Sequence, residues 1–394
     1  MRRSIRALAL TLAALTLAAA PTTLSGTAVA ASPGPSPAGS GTAAPRLALP
    51  KPTGGSAVGR DTLHLVDKGR KDPWVPTADR ELLLSLYYPA RAGTGRPASY
   101  MTVPEATALL TDRGTLGQHV TAEQVSRTRT YAREGARPLA GRHPLVVLSP
   151  GFTVPRTTLT SLAEELASRG YVVAAVDHAY ETDGTSFPGG RLLGCAACEQ
   201  ISSMEEMGRV SDGRAKDISF VLDRLTGPRA VWRYAGLIDP RRIGAAGHSI
   251  GGASTAAVMA ADRRVKAGVN LDGTFFTPVP EQGLDGRPYL MLGGDPALLP
   301  PDIEDHSWEQ AWQRLDGWKR WLTVTGAGHF AFTDWPVLGE QAGDTDPDSP
   351  LSGTRSQQIT RAYVGAFFDH QLRGRPAPLF DGPSAANPEV VFQP

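Results

Sequence analysis

A strand-like run, Arg242-Ile-Gly-Ala-Ala246, leads straight into Gly247-His248-Ser249-Ile250-Gly251 and then into a stretch of small residues. The pattern G-x-S-x-G suits a serine presented on a sharp strand-to-helix turn, because side chains two before and two after the serine would collide there. Such a turn strains the serine backbone and exposes its hydroxyl. Ala253, Ser254, Ala256 and Ala257 let the following helix lie close to a sheet, with its N-terminal amides and dipole aimed at the serine. The chemistry on offer is nucleophilic attack on a carbonyl carbon through a covalent intermediate.

An activated serine needs a base, and the base needs an orienting acid. With the nucleophile on an elbow of this kind, the three follow in the order serine, acid, histidine. Beyond Ser249 the chain has His306, His329 and His370. His306 is expected to open a Trp-rich helix and His370 to lie in the last helix, both as surface or packing residues. His329 sits in Thr325-Gly-Ala-Gly-His-Phe-Ala331, directly beyond a strand, in a glycine-rich loop that can swing an imidazole toward the elbow. It is the expected base.

The acid has two candidates at strand ends, where such sheets place their chemistry. Asp272 stands in Asn270-Leu-Asp-Gly-Thr274 and Asp295 in Gly293-Gly-Asp-Pro-Ala297. The glycine after Asp272 permits a tight turn that presents a carboxylate, whereas the proline after Asp295 suggests a helix start and an N-cap or turn role. Asp272 is favoured. Charge on a tetrahedral oxyanion needs two backbone donors; Ile250, next after the serine, can supply one. The other is expected from Ser149-Pro-Gly-Phe-Thr153, where the Phe152 amide is placed to donate and Pro150 cannot.

From Gly59 onward, short apolar strands alternate with helix-like segments, the pattern of an α/β fold with a mostly parallel central sheet and helices on both faces. Residues 63–66 and 81–88 read as leading antiparallel strands. Residues 144–149, 171–176, 242–246, 265–271, 288–292 and 320–324 read as buried strands. Leu159, Leu162, Ala163 and Leu166 share a helical face, as do Ile218, Val221, Leu222 and Leu225, and a last helix is expected around 356–372. The polar stretch 100–141 fits the alternation poorly and reads as a solvated excursion with some helix, with an insertion near the site as the alternative.

The N-terminus, Met1-Arg-Arg-Ser-Ile-Arg6, precedes an apolar run from Ala7 to Ala20 and a small-residue site at Ala28-Val29-Ala30. This reads as a secretory signal peptide over 1–30, with a Pro/Gly/Ser-rich disordered linker over 31–58 and a catalytic domain over 59–394. A secreted, extracellular protein is expected. The apolar run falls short of the roughly 20 residues of a membrane span, so no stable membrane insertion is expected. A net charge of +1 without a basic block after the signal argues against nucleic acid as a partner. Cys195 and Cys198 are the only cysteines, and in an exported chain they are a disulfide candidate rather than a metal or redox pair. No metal and no cofactor is expected; the partner is a small-molecule or lipid ester substrate, and the protein is expected to act as a monomer.

Several further segments resemble secreted bacterial α/β-hydrolases related to the plasma-type platelet-activating-factor acetylhydrolases. They are the Leu-Tyr-Tyr-Pro-Ala run ending at Ala90, Leu145-Val-Val-Leu-Ser-Pro-Gly-Phe152, the run from Ser168 to His178, Gly247-His-Ser-Ile-Gly-Gly252, Leu271-Asp-Gly273 and Gly328-His-Phe330. The resemblance implies an α/β-hydrolase fold and an esterase acting on phospholipids with a short acyl group, with triacylglycerol lipase or cutinase-like polyester hydrolase as the alternative. In that family the acid follows the strand after the elbow helix, which falls on Asp272; in lipases and cutinases the corresponding position falls on Ala297, two residues past Asp295. The family often carries His-Gly where this chain has Pro150-Gly151. A non-catalytic binding protein on the same scaffold is disfavoured, because such proteins usually lose the serine or the histidine.

Overall fold

The computed structural model describes residues 46–394 apart from 113–115, 300–304, 345 and 347–348. The expected signal peptide, 1–30, and the first part of the expected linker, 31–45, lie outside the described residues. The rest of that linker does not behave as one. Leu47 and Leu49 are buried, Leu49 N donates to Arg129 O at 2.9 Å, and the first strand already starts at Ala57. The reason is two leucines among the prolines: a Pro-rich composition leaves a segment loose only while it has nothing apolar to bury.

In chain order the strands are β1 (Ala57–Lys71), β2 (Asp79–Ala90), β3 (Arg96–Pro97), β4 (Ala132–Glu134), β5 (His143–Ser149), β6 (Val172–His178), β7 (Thr185–Phe187), β8 (Arg191–Leu193), β9 (Ile238–His248), β10 (Val265–Leu271), β11 (Tyr289–Gly293), β12 (Lys319–Val324) and β13 (Val390–Phe392). All but the separate β7–β8 hairpin join one sheet, ordered β13-β12-β11-β10-β9-β5-β6-β2-β1-β4-β3. Strands β6, β5, β9, β10, β11 and β12 are mutually parallel; β2 and β13 flank them antiparallel, and β1 pairs antiparallel with β2.

Alternation along the parallel strands sorts their side chains onto two cores. Val146 and Leu148 of β5, with Leu290 and Leu292 of β11, face one side, where Leu162 and Leu166 of helix α1 (Thr160–Ser168) lie. Leu145, Val147, Tyr289 and Met291 face the other, against Ile218, Val221 and Leu222 of helix α2 (Met204–Thr226) and Val258 of helix α3 (Ile250–Ala261). The last helix, α4 (Gly353–Arg373), returns to the first side with Tyr363, Phe367 and Phe368. Burying a side chain of this size stabilises the fold by about 1.5–3 kcal/mol. These helices start for local and non-local reasons. The Ser203 hydroxyl caps α2 and that of Ser352 caps α4, whereas the first amides of α1, at Thr160 and Ser161, donate to the carboxylate of Asp334, far along the chain.

The stretch 100–141 is more than a solvated excursion. It contains short helices at Val103–Asp112, Leu116–His119 and Ala122–Ser126, and β4 extends the sheet by pairing parallel with β1. Tyr100, Met101, Ala106, Leu109, Val120 and Val125 form a small core of their own with Leu47 and Leu49, and Phe330 packs against it. These apolar residues are widely spaced among arginines, so the segment reads as polar although one side of it is buried.

At the joint between this stretch and α1, the Glu164 carboxylate is fully buried and accepts from the amides of Tyr131 and Ala132 at 2.9 and 2.6 Å. Burial pushes its pKa from 4.5 up to about 7, and the two amides offset that only in part. Between those values the unfolded chain has released a proton that the folded chain keeps, so this group's stabilisation is complete below about pH 4.5 and lost as the pH rises through about 7. Glu164→Gln keeps the amide acceptor without the proton. Its melting temperature relative to wild type should therefore climb from about pH 5 to about pH 8; thermal denaturation at the two pH values checks this, and a constant offset contradicts it.

Candidate active site

The chain passes from β5 to β6 on one side and then crosses to β9 on the other, so the sheet reverses its winding at the β5–β9 boundary. A crevice opens outside the carboxyl ends of strands at such a point. Register then fixes what meets there. Ser149, the end of β5, stands opposite Gly247 of β9, and Leu271, the end of β10, stands opposite His248. The three segments that follow, 150–153, 249–252 and 272–274, must therefore emerge side by side.

Ser249 adopts φ 56° and ψ −128°, a conformation that costs a non-glycine residue about 1–3 kcal/mol. Packing holds it there. A Cβ on Gly251 would lie 2.1 Å from the Ser149 carbonyl oxygen, and one on Gly247 would lie 2.3 Å from the Gly251 carbonyl, so the elbow closes only with glycine at both places. The Ser249 amide donates to Leu271 O at 2.8 Å, which ties the elbow to β10.

His329 starts farther away, beyond β12, and its loop must cross the end of β11 to reach the elbow. Asp295 guides the crossing: its amide donates to Ala327 O, and its carboxylate accepts from the Gly326 amide, both at 2.8 Å, and from the Ala297 amide at 3.0 Å. Its carboxylate is thus the N-cap and turn group that the Asp-Pro sequence suggested, with the added task of anchoring the histidine loop. The imidazole then lies between Asp272 and Ser249, with Nδ1 to Asp272 Oδ2 at 2.6 Å and Nε2 to Ser249 Oγ at 3.0 Å. The other oxygen of Asp272 accepts from the Gly294 amide at 2.6 Å. Burial would raise the Asp272 pKa, but the hydrogen bond and charge of His329, with the Gly294 amide, outweigh it and hold the carboxyl below its ordinary value. An ionised Asp272 can only accept, so Nδ1 carries the proton and Nε2 is free to accept the serine hydroxyl proton.

The amides of Phe152 and Ile250, marked in the sequence as an anion-stabilising pair, flank the serine on the β5 loop and at the first turn of α3; among the described residues neither donates to a protein acceptor. His306 precedes a short helix, Ser307–Arg314, and His370 bonds to Arg375 O at 2.8 Å. Cys195 and Cys198 are joined, S–S 2.04 Å, at the head of a one-turn helix, Ala196–Gln200. Beside that turn, Phe152, Tyr180, Ile201, Met207 and Phe276, all half-buried, pack around Ile250 and Ala253 of α3. They form an apolar shelf next to the serine. Among the described residues no group of three or more His, Cys, Asp or Glu side chains is arranged to hold a metal ion.

Sequence reasoning passed over His248, whose position in G-x-S-x-G carries no pattern of its own. It is buried, its Nε2–H donates to the His329 carbonyl at 2.8 Å, and its ring lies 4.8 Å from the His329 ring. A histidine between glycine and the elbow serine was the one available clue.

The parallel sheet wound on both faces, with its strand-end loops converging on an elbow serine, defines an α/β-hydrolase. A family model described as platelet-activating factor acetylhydrolase, isoform II, matches residues 42–187. A protein named "probable 1-alkyl-2-acetylglycerophosphocholine esterase" from Arthroderma benhamiae is 30% identical over 376 residues, 87% of this chain and 93% of that one. The solved structure of a ferulic acid esterase from Streptomyces cinnamoneus superposes with a TM-score of 0.78 at 47% identity, covering 89% of this chain and 100% of that one. A bis(hydroxyethyl) terephthalate hydrolase from Streptomyces coelicolor is 29% identical over 198 residues, 48% of this chain and 52% of that protein. The chain belongs to the platelet-activating-factor acetylhydrolase-like family of α/β-hydrolases, and it is a carboxylic ester hydrolase.

The two aspartates make opposite demands on a variant. Asp272→Asn keeps the shape but favours the wrong imidazole tautomer, so kcat should fall by roughly 10³–10⁴. Asp295→Asn loosens only the loop crossing and should cost about tenfold or less, about 1 kcal/mol. Steady-state kinetics on both variants decide; the reverse ranking would move the acid to Asp295.

Proposed function

We propose that this protein is an exported serine esterase in which Ser249 is the nucleophile, His329 the general base and acid, and Asp272 the group that orients the imidazole. The observation that carries the proposal is the continuous hydrogen-bonded line from Asp272 through His329 to Ser249, with the serine held at positive φ on its elbow. His329 Nε2 takes the hydroxyl proton as Ser249 Oγ bonds to the ester carbonyl carbon. Negative charge then grows on the former carbonyl oxygen, where the amides of Phe152 and Ile250 are positioned to donate. The imidazolium, steadied by ionised Asp272, returns the proton to the departing alcohol and leaves an acyl-enzyme. Water, deprotonated by the same nitrogen, releases the acid and restores the serine.

Export rests on the sequence of residues 1–30 and agrees with a disulfide, which persists in oxidising compartments. Among the described residues no helix is long and apolar enough to cross a membrane. For the substrate, family membership supports a short-acyl phospholipid or related lipid ester. A second reading has its own support: the similarity to a ferulic acid esterase and the aromatic shelf of Phe152, Tyr180 and Phe276 beside the serine both suit an ester of an aromatic acid.

Ser249→Ala should lower ester turnover by about 10⁴-fold or more while the protein stays folded, and a fluorophosphonate probe should label the wild type at Ser249 only. Turnover near wild type in that variant ends the proposal. In a series of p-nitrophenyl esters the acetyl and butyryl members should be preferred over long chains, with no jump in rate when substrate becomes an emulsion; a jump would favour the lipase alternative. A higher kcat/KM for methyl ferulate than for a short-acyl glycerophosphocholine would assign the aromatic-acid reading.

A further inference from the structure

Beneath the loop that carries Phe152 lies a fully buried set of charges outside the Ser249, His329 and Asp272 line. Arg80, on β2, pairs with Asp72, Glu181 and Asp217 at 2.6–2.8 Å. Arg214, on α2, has no solvent exposure and pairs through Nε with Glu181 at 2.8 Å. The rest of its guanidinium turns to the loop after β5: Nη1 donates to Pro150 O at 2.5 Å and lies 3.3 Å from Ser149 Oγ, and Nη2 reaches Gly151 O at 3.4 Å. Ser149 Oγ is also 3.1 Å from His178 Nε2, and His178 Nδ1 is 2.8 Å from Asp217. Burial, and next the Arg214 charge, lowers the His178 pKa, so a neutral ring donates a hydrogen bond from Nδ1–H to Asp217 and accepts one from the Ser149 hydroxyl at Nε2. Ser149 Oγ is then left to accept from Arg214.

From this geometry we infer that Arg214 is a positioning residue for the oxyanion donor at Phe152. In a trans peptide the carbonyl and the next N–H point in opposite directions, and among the described residues no peptide bond is cis. With the Gly151 carbonyl turned inward to the guanidinium, the Phe152 N–H is turned outward, away from Arg214. The loop itself lies against the elbow: Gly151 packs against His248, and the carbonyls of Ser149 and Pro150 pack against Gly251. A planar, always-charged fork that spans two successive carbonyls sets the loop's peptide planes in a way that a point charge on a flexible stem does not. The arginine is fully buried, so no bulk solvent competes for these carbonyls. Glu181 adds to the effect, since its main-chain oxygen accepts from the Thr153 amide at 3.0 Å on the far side of Phe152.

The inference rests on the proposed role of the Phe152 amide, and its test separates the two. Arg214→Lys keeps a charge for Glu181 but loses the fork. We expect kcat to fall by about 10–100-fold with KM within about twofold of wild type, because an oxyanion donor acts in the tetrahedral state rather than on bound substrate. Affinity for an alkyl trifluoromethyl ketone, whose serine adduct carries the oxyanion, should fall by the same factor. Asp72→Asn disturbs the same buried network without touching the loop; it should lower the melting temperature yet leave kcat and ketone affinity near wild type. If Arg214→Lys fails to fold, the double variant Arg214→Gln/Glu181→Gln removes the pair without changing net charge and should show the same loss. A folded Arg214 variant with normal kcat and normal ketone affinity overturns the inference, as does an equal loss in Asp72→Asn. Wild-type protein that fluorophosphonate does not label at Ser249 would instead sink the reading of the site itself.

Discussion

The register between β5, β9 and β10 is the constraint on which the site depends. Because Ser149 is opposite Gly247 and Leu271 is opposite His248, three loops leave the sheet at one level and within a few ångströms of one another. A slip of one residue in either ladder would turn every side chain to the opposite face. It would exchange the two buried cores and carry Ser249 and Asp272 apart in the same move. The hydrophobic effect, acting on Leu145 to Leu148 and on Val265 to Leu271, thus fixes the position of a polar site whose own residues contribute little to that choice.

Strain is gathered at the same strand ends. Among the described residues, five non-glycine residues have positive φ, and four of them lie at or just beyond these strand ends: Ser249 and Asp272 directly follow β9 and β10, and Thr153 and Tyr180 lie in the loops after β5 and β6. Each conformation is disfavoured alone, and each is held by main-chain bonds to a neighbouring strand end or loop. Thr153 both donates to Glu181 O and accepts from the Asp183 amide, and Ser249 donates to Leu271 O. The loops brace one another, with the buried charges of Arg80, Arg214, Glu181 and Asp217 packed below them. A buried ion pair is weak as a source of net stability. Here its guanidinium groups satisfy carbonyls that no helix or strand could reach.

His329 is placed by a different means. Its strand is two removed from β10, so no ladder register brings it to Asp272, and the approach depends on a glycine-rich crossing pinned by Asp295, Ser349 and the ring of His248. Asp295 and Asp272 are both carboxylates at the ends of adjacent strands. What separates them is direction: Asp272 aims at the imidazole, while Asp295 spends its oxygens on the amides of Gly326 and Ala297.

Much of this was legible in the chain itself. Short segments rich in apolar residues marked the buried strands, helical spacing at Leu159–Leu166 and Ile218–Leu225 marked the covering helices, and G-H-S-I-G marked the elbow, because in each case the cause is local: periodicity, glycine, or a cap a few residues away. Where the cause was distant, the sequence was silent or misleading. Leu47 and Leu49 could not announce a docking surface more than fifty residues further on, and the small core within 100–141 was hidden by its wide spacing. Asp334 capping α1, Asp295 bracing the histidine loop, and Arg214 turning the Gly151 carbonyl inward join residues distant in sequence. Those pairings exist only once the sheet has closed, since a side chain's hydrogen-bond partner is set by where the backbone has travelled, and that is decided by the packing of the whole chain.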